Sequence, residues 1–179
     1  MKKLVYLGLG SNLGDRQAHL EAAIGRIAEL GTIVAQSSFY ETEPVDMAPA
    51  HSGAPQWFLN AALVLETELM PKQLLGRLLE IERSLGRKRA RVRSRSSEGD
   101  GPSLRTPRTI DLDILLFGSS IVEAPGLVIP HPAMHQRRFV LEPLAEIAPE
   151  TRHPVFKRTM RELRDALPKD PGKVKKLIP

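Results

Sequence analysis

Hydrophobic and polar positions change period several times along this chain, and each change marks an element. Leu4 to Leu9 is a short apolar run that predicts a buried strand. It ends in Gly8-Leu9-Gly10-Ser11-Asn12, which reads as a turn built on glycine's freedom in φ. From Gln17 to Leu30, Leu20, Ala23, Ile24, Ile27 and Leu30 recur at helical spacing, and Gly31 stops the run. A strand is predicted from Ile33 to Glu43, a loop over the Pro- and Ala-rich stretch Pro44 to Pro55, and a second clear strand from Phe58 to Leu65. Pro71 sits near a helix start, and Leu74, Leu75, Leu78, Leu79, Ile81 and Leu85 form the apolar stripe that runs to Gly86. Residues 87–107 lack any period and predict a loop. A strand follows, Arg108-Thr109-Ile110-Asp111-Leu112-Asp113-Ile114-Leu115-Leu116-Phe117. Val128-Ile129-Pro130 gives a short extended piece, and helices are predicted over Phe139 to Ile147 and Thr159 to Leu167.

The core order is therefore β-α-β-β-α-β, which predicts an α/β (α+β) chain of the ferredoxin-like kind. Its antiparallel sheet packs against helices on one face, and extra elements follow toward the C-terminus. Residues 1–167 are expected to form one domain, and 168–179 a polar tail, partly ordered at best. A chain of 179 residues is long enough to bury a proper core.

Charge adds one local feature. The net charge is +5, yet residues 87–108 alone hold eight Arg and Lys against Glu98 and Asp100, so the remainder of the chain is slightly acidic. Such a cluster suits a polyphosphate or a nucleic-acid backbone. No aromatic is interleaved within it, which argues against stacking on nucleic acid. The absence of cysteine excludes disulfides and thiolate metal sites, and makes a reducing cytoplasm the expected compartment. No apolar stretch approaches the roughly 18 residues of a membrane span, so no membrane partner is expected.

Candidate chemistry starts with the two carboxylates inside the apolar strand. Side chains alternate across a strand, so Asp111 and Asp113 share one face while Ile110, Leu112 and Ile114 take the other. Roughly 6.5–7 Å of extended chain separates them, a spacing that lets them share one or two hard cations. The segment alone equally allows a solvated edge strand. Phe58 and Asn60 also share a face, which would let a flat heteroaromatic ring stack on Phe58 while Asn60 reads its edge; a core Phe beside a strand-end Asn fits the same pattern. The segment Gly8 to Gly14 fits neither G-x-G-x-x-G nor a P-loop. His131 and His135 lie four apart, but Pro130 and Pro132 oppose a helix there, so a zinc pair is not expected. His131, beside Arg137 and Arg138, suits phosphate or a surface turn.

Together these segments closely resemble the 6-hydroxymethyl-7,8-dihydropterin pyrophosphokinase family of folate biosynthesis. The matching stretches are Tyr6-Leu7-Gly8-Leu9-Gly10-Ser11-Asn12-Leu13-Gly14, Ser38-Phe39-Tyr40-Glu41-Thr42-Glu43-Pro44, Phe58-Leu59-Asn60-Ala61-Ala62 and Glu80-Ile81-Glu82 leading to Gly86-Arg87. They continue with Pro107 to Leu115, Ile129-Pro130-His131-Pro132 and Arg137 to Leu144. The resemblance implies pyrophosphate transfer from ATP to the pterin hydroxymethyl group, with Asp111 and Asp113 holding two Mg²⁺ ions. It further implies that Phe58 and Phe139 sandwich the pterin while Asn60, Thr42 and Val45 meet its polar edge. Glu82, Arg87, Arg89, Arg108, Ile114, His131 and Arg137 would surround ATP, and Arg87, Arg89, Arg105 and Arg108 would serve catalysis. The partners implied are ATP and the pterin alone, on a monomeric chain without nucleic acid. Many members carry a short Arg-Trp-Gly-Pro-Arg-Thr run before the carboxylate strand. Here Ala90 to Thr106 is longer and lacks the tryptophan. Arg105, or alternatively Arg91, Arg93 or Arg95, stands in for the expected arginine, on a loop expected to close over ATP.

Overall fold

The computed structural model describes residues 1–44, 56–86, 109–169 and 173–177. Five strands of the main sheet run in the order β5 (Asp111–Phe117), β1 (Lys3–Ser11), β4 (Phe58–Thr67), β3 (Tyr40–Thr42) and β8 (Val174–Lys176), and β2 (Thr32–Gln36) pairs with the other end of β4. All pairings are antiparallel. Helix α1 (Arg16–Ile27) connects β1 to β2, and α2 (Pro71–Ser84) connects β4 toward β5, so the predicted split βαβ order holds. A hairpin of β6 (Val122–Ala124) and β7 (Leu127–Ile129) follows, then α3 (Arg138–Ile147) and α4 (Met160–Asp165).

Local chemistry sets the element ends. The Asp15 carboxylate accepts from the Ala18 N–H at 3.0 Å and caps α1. Pro71 occupies the first turn of α2, where its missing N–H costs nothing, and the Gln73 side chain accepts from the Met70 N–H. Thr159 and Glu162 cap α4 reciprocally.

The sheet is covered on both faces, not on one as the sequence pattern suggests. Val5, Leu7 and Leu9 of β1 join Leu63 and Leu65 of β4 against Leu20 and Ile27 of α1 and Leu74 and Leu78 of α2. Tyr6, Val64 and Leu116 project the other way and meet Leu141 and Leu144 of α3 and Met160 and Leu163 of α4. The reason lies in β4, which is apolar at nearly every position from Leu59 to Leu65 and so needs partners on both sides. Each fully buried leucine in these cores contributes on the order of 1.5–3 kcal/mol. The second cover is incomplete: α3 and α4 lie over Tyr6 and Val64 and leave the Gly8–Gly10 end of β1 open.

Three further differences from the sequence reading have physical causes. The glycines of Gly8-Leu9-Gly10 lie inside β1, in register with both neighbours, and only Gly14 takes a positive φ of 64°. The single strand expected over Ile33 to Glu43 is broken because Ser37 leaves the ladder. Its N–H donates to the Ala62 carbonyl and its Oγ accepts from the Ala62 N–H. The polar tail holds a strand, β8, because β3 would otherwise offer an open edge.

Glu146, in the last turn of α3, ties that helix to the β2–β3 junction. It accepts from the Ser38 N–H and Oγ and from the Tyr40 hydroxyl, and Lys176 of β8 lies 3.5 Å away. Burial pulls its pKa upward, but the Tyr40 and Ser38 hydrogen bonds and Lys176 outweigh it and leave the carboxyl below its ordinary value. Tyr40 shifts up through burial and the same carboxylate. A depressed carboxyl adds stability that is complete above the unfolded value of 4.5 and is lost as pH falls through the folded one. Glu146→Gln is therefore expected to lower stability at pH 7 by about 1–3 kcal/mol and to flatten the acid limb below that value. Urea titrations of both proteins across pH 3–7 check this; parallel curves would contradict it.

Candidate active site

The uncovered part of the second face is a cleft of about 880 Å³. Its floor is laid down by strand register. Gly10 stands opposite Asp111 and Gly8 opposite Asp113, so each carboxylate on β5 faces a position with no side chain on β1. Across β1 on its other side, Gly10 pairs with Asn60 of β4, which pairs in turn with Tyr40 of β3. Asp111 and Asp113 are half-buried and line the cleft, while Leu112 and Ile114 between and beyond them turn into the α1/α2 core. A register shift follows them: Leu7 pairs with Ile114 and Tyr6 with Leu116, which leaves Leu115 as the extra residue. Leu115 and Leu116 thus both reach the second core, beside the carboxylates.

Asn60 is held tightly. Its Nδ2 donates to Thr42 Oγ1 at 2.6 Å, and both residues are buried. Its Oδ1 lies over Gly10, 2.8 Å from where a Cβ would stand. The amide carbonyl is therefore the part of Asn60 directed over the cleft floor. Phe58, one register step outward, pairs with Thr42, and Phe139 in the first turn of α3 lines the same cleft from the helix side. Arg137, at the helix start, places its guanidinium 5.7 Å from the Phe139 ring centroid.

His131 enters after the β6–β7 hairpin. Its N–H donates to the Leu115 carbonyl at 2.9 Å, which fixes it beside the carboxylate strand. Its Nδ1 accepts from the Ala133 N–H, so the neutral ring carries its proton on Nε2. A second, smaller cleft of about 300 Å³ opens on the other side of His131, lined by Leu75, Ile114 and Val128 among others. Asp113 and His131 are the residues common to both clefts.

The structure thus brings Thr42, Phe58, Asn60, Asp111, Asp113, His131, Arg137 and Phe139 to one cleft and Ile114 to its neighbour. Glu82 is not at either surface. It is buried on α2, and its Oε1 accepts the Leu112 N–H at 2.8 Å, so it holds the edge of the carboxylate strand. Arg138 also lines the cleft: one arm pairs with Glu142 at 2.7 Å and the other donates to the Leu167 and Pro168 carbonyls. His135 packs on Phe156, away from the cleft. Val45, Arg87, Arg89, Arg105 and Arg108 lie outside the described residues, as does the whole loop expected to close. Among the described residues no group of three or more His, Cys, Asp or Glu could hold a metal by itself.

Sequence reasoning missed several contributors. Arg16 donates to Glu41 at 2.7 Å and to the Trp57 carbonyl at 2.6 Å, next in sequence to the cleft-lining Thr42 and Phe58. Leu167, Pro168, Lys173 and Val174 line the cleft from the C-terminal segment. No local pattern marks them, because only the pairing of β8 with β3 brings them there.

A sequence profile described as 7,8-dihydro-6-hydroxymethylpterin-pyrophosphokinase (HPPK) matches residues 6–149. The 2-amino-4-hydroxy-6-hydroxymethyldihydropteridine pyrophosphokinase of Bacillus subtilis is 42% identical over 149 residues, covering 82% of this chain and 79% of its own. The protein of the same name from Aquifex aeolicus is 34% identical over 160 residues, or 89% of each chain. Among solved structures, a Plasmodium falciparum HPPK-DHPS with SDX-DHP aligns at a TM-score of 0.67 and 16% identity. It covers 92% of this chain and 44% of that one, a likeness of fold.

The two floor glycines are not equivalent. A methyl on Gly10 would displace the Asn60 amide, whereas one on Gly8 would meet only the Leu115 side chain at 3.4 Å. Gly10→Ala is expected to cost about 1–3 kcal/mol and Gly8→Ala well under that. Thermal melts of the two variants distinguish them; an equal loss would contradict this account of the floor.

Proposed function

Because the chain belongs to the 7,8-dihydro-6-hydroxymethylpterin-pyrophosphokinase family, we propose a residue-level reading of how its two clefts divide the work. The reaction transfers pyrophosphate from ATP to the hydroxymethyl group of the dihydropterin in folate synthesis. The substrate hydroxyl oxygen forms a bond to the β-phosphorus and releases its proton to solvent, the bond from that phosphorus to the α-bridging oxygen breaks, and AMP leaves with its electron pair.

The observation that carries the reading is that Asp113 and His131 belong to both clefts. A triphosphate that spans from the smaller cleft to the larger must pass them. The smaller cleft, walled by Leu75, Ile114 and Val128, takes the flat base of ATP. The larger takes the pterin, stacked between Phe58 and Phe139. Asn60 gives one N–H of its amide to Thr42, which orients its carbonyl over the floor to accept from the pterin's N–H groups. Arg137 donates to phosphate at the other end. Arg87, Arg89, Arg105 and Arg108 lie outside the described residues; the family resemblance assigns them to the phosphates, which suits the guanidinium fork.

The carboxylate pair fits Mg²⁺. Two half-buried aspartates line the cleft opposite glycines, and among the described residues no group of three His, Cys, Asp or Glu forms around them, so they make an incomplete oxygen set. That is the donor pattern of an ion bound jointly by one or two carboxylates and substrate phosphates. Asp111 and Asp113 would hold two such ions, which when bound neutralise charge on the transferring phosphates. Glu82 acts indirectly, by fixing the Leu112 backbone between the two aspartates. The cysteine-free composition supports a cytoplasmic setting for action on these two small molecules. No helix among the described residues is long and apolar enough to cross a membrane.

Asp113→Asn tests the reading, since it keeps the side-chain shape and removes the charge. The kcat is expected to fall by at least about a hundredfold, with the melting temperature preserved and the residual rate requiring more Mg²⁺. Turnover and Mg²⁺ dependence equal to the parent protein would contradict the assignment.

A further inference from the structure

The family match stops at residue 149, yet the chain beyond it reaches back to the site. Leu167 and Pro168, after α4, and Lys173 and Val174, at the start of β8, all line the larger cleft. They are fastened to the two elements that carry the proposed pterin contacts. On the sheet side, Val174 pairs with Thr42, the Glu43 N–H donates to the Lys173 carbonyl at 3.1 Å, and the Leu177 N–H donates to the Phe39 carbonyl at 2.8 Å. On the helix side, Arg138, next to Phe139, donates from one guanidinium nitrogen to the Leu167 and Pro168 carbonyls at 3.1 and 3.0 Å. Lys176 closes the set on Glu146 of α3.

We propose that this C-terminal segment is a specificity wall of the pterin half of the cleft, and that Arg138 is the positioning residue that ties it to α3. The proposal rests on the assignment of the larger cleft to the pterin.

Three observations favour a binding role over simple edge protection. Covering the β3 edge needs only the backbone of β8, but Val174 and Lys173 also line the cavity. Leu167 and Pro168 belong to no strand, and they line it too. Arg138 is kept although its Nε is buried with no acceptor, an arrangement that an apolar residue would avoid if α3 needed only packing. The ligand class that fits is a planar heterocycle. Val174 and Leu167 offer apolar contact beyond the Phe58–Phe139 pair, and Lys173 offers a cation at the rim. None of these residues lines the smaller cleft, so the wall should affect the pterin and not ATP.

Steady-state kinetics on Val174→Glu, Arg138→Gln and Phe58→Ala test this, each with the KM for pterin and for ATP measured separately. Val174→Glu places a charge at a half-buried rim position of a three-residue strand, so it leaves both cores intact and carries the test if Arg138→Gln melts early. The expected result for both wall variants is a pterin KM raised about tenfold, with ATP KM within about twofold and kcat within about threefold. A purely structural role would move both KM values or kcat together, and that outcome would overturn the proposal. Unchanged pterin KM in folded Val174→Glu would also overturn it, provided Phe58→Ala raises that KM. If Phe58→Ala leaves the pterin KM unchanged as well, the assignment of the cleft itself falls, and the wall with it.

Discussion

Two negative charges stand on one face of an otherwise apolar strand, and the fold is arranged around that cost. A carboxylate on a sheet face is tolerable only where water, a cation or a hydrogen-bond donor can reach it. Register supplies the room: Gly10 and Gly8 oppose Asp111 and Asp113, while Tyr6, two residues earlier on the same face, is already roofed by α3 and α4. A side chain at Gly10 would displace the Asn60 amide, and one at Gly8 would press on Leu115 beside the carboxylates. The same face therefore changes from core to cleft within about two residues, and that boundary fixes where the chemistry can occur.

The walls follow from the floor. Asn60 can lie flat over the sheet because Gly10 gives it space, and Thr42 on the neighbouring strand holds its amide. Phe139 arrives from α3, whose C-terminal end is bound through Glu146 to Ser38 and Tyr40, two residues before Thr42. The sheet side and the helix side of the cleft are thus joined by one carboxylate that does not line it. β8 adds a second tie between the same two elements, through its pairing with β3 and through Lys176. The proposed stacking between Phe58 and Phe139 would gain from such cross-links, because small displacements of either wall weaken stacking.

Much of this was legible in the sequence, for identifiable reasons. Strand alternation alone put Asp111 with Asp113 and Phe58 with Asn60, since a period of two leaves no other arrangement. The β-α-β-β-α-β order followed from changes of period at Gly31, Pro71 and Gly86. What failed depended on pairing between distant segments. Gly8 and Gly10 read as a turn because glycine's role as a gap opposite a carboxylate appears only once β1 is in register with β5. Glu82 looked like a surface ligand, yet α2 packs so that its carboxylate reaches a backbone N–H of β5. Leu167, Pro168, Lys173 and Val174 carry no periodic signal, and their place at the cleft depends on the edge that β3 leaves open. The roles of Val45 and the arginines of 87–108 rest on resemblance alone, because those residues lie outside the described ones.

The most direct measurement of the central claim is ³¹P NMR of the protein with ATP and Mg²⁺, with and without 6-hydroxymethyl-7,8-dihydropterin. The expected result is formation of AMP and a pterin diphosphate in equal amounts, dependent on the pterin. ADP in place of AMP, or no turnover by a folded, Mg²⁺-loaded protein, would contradict it.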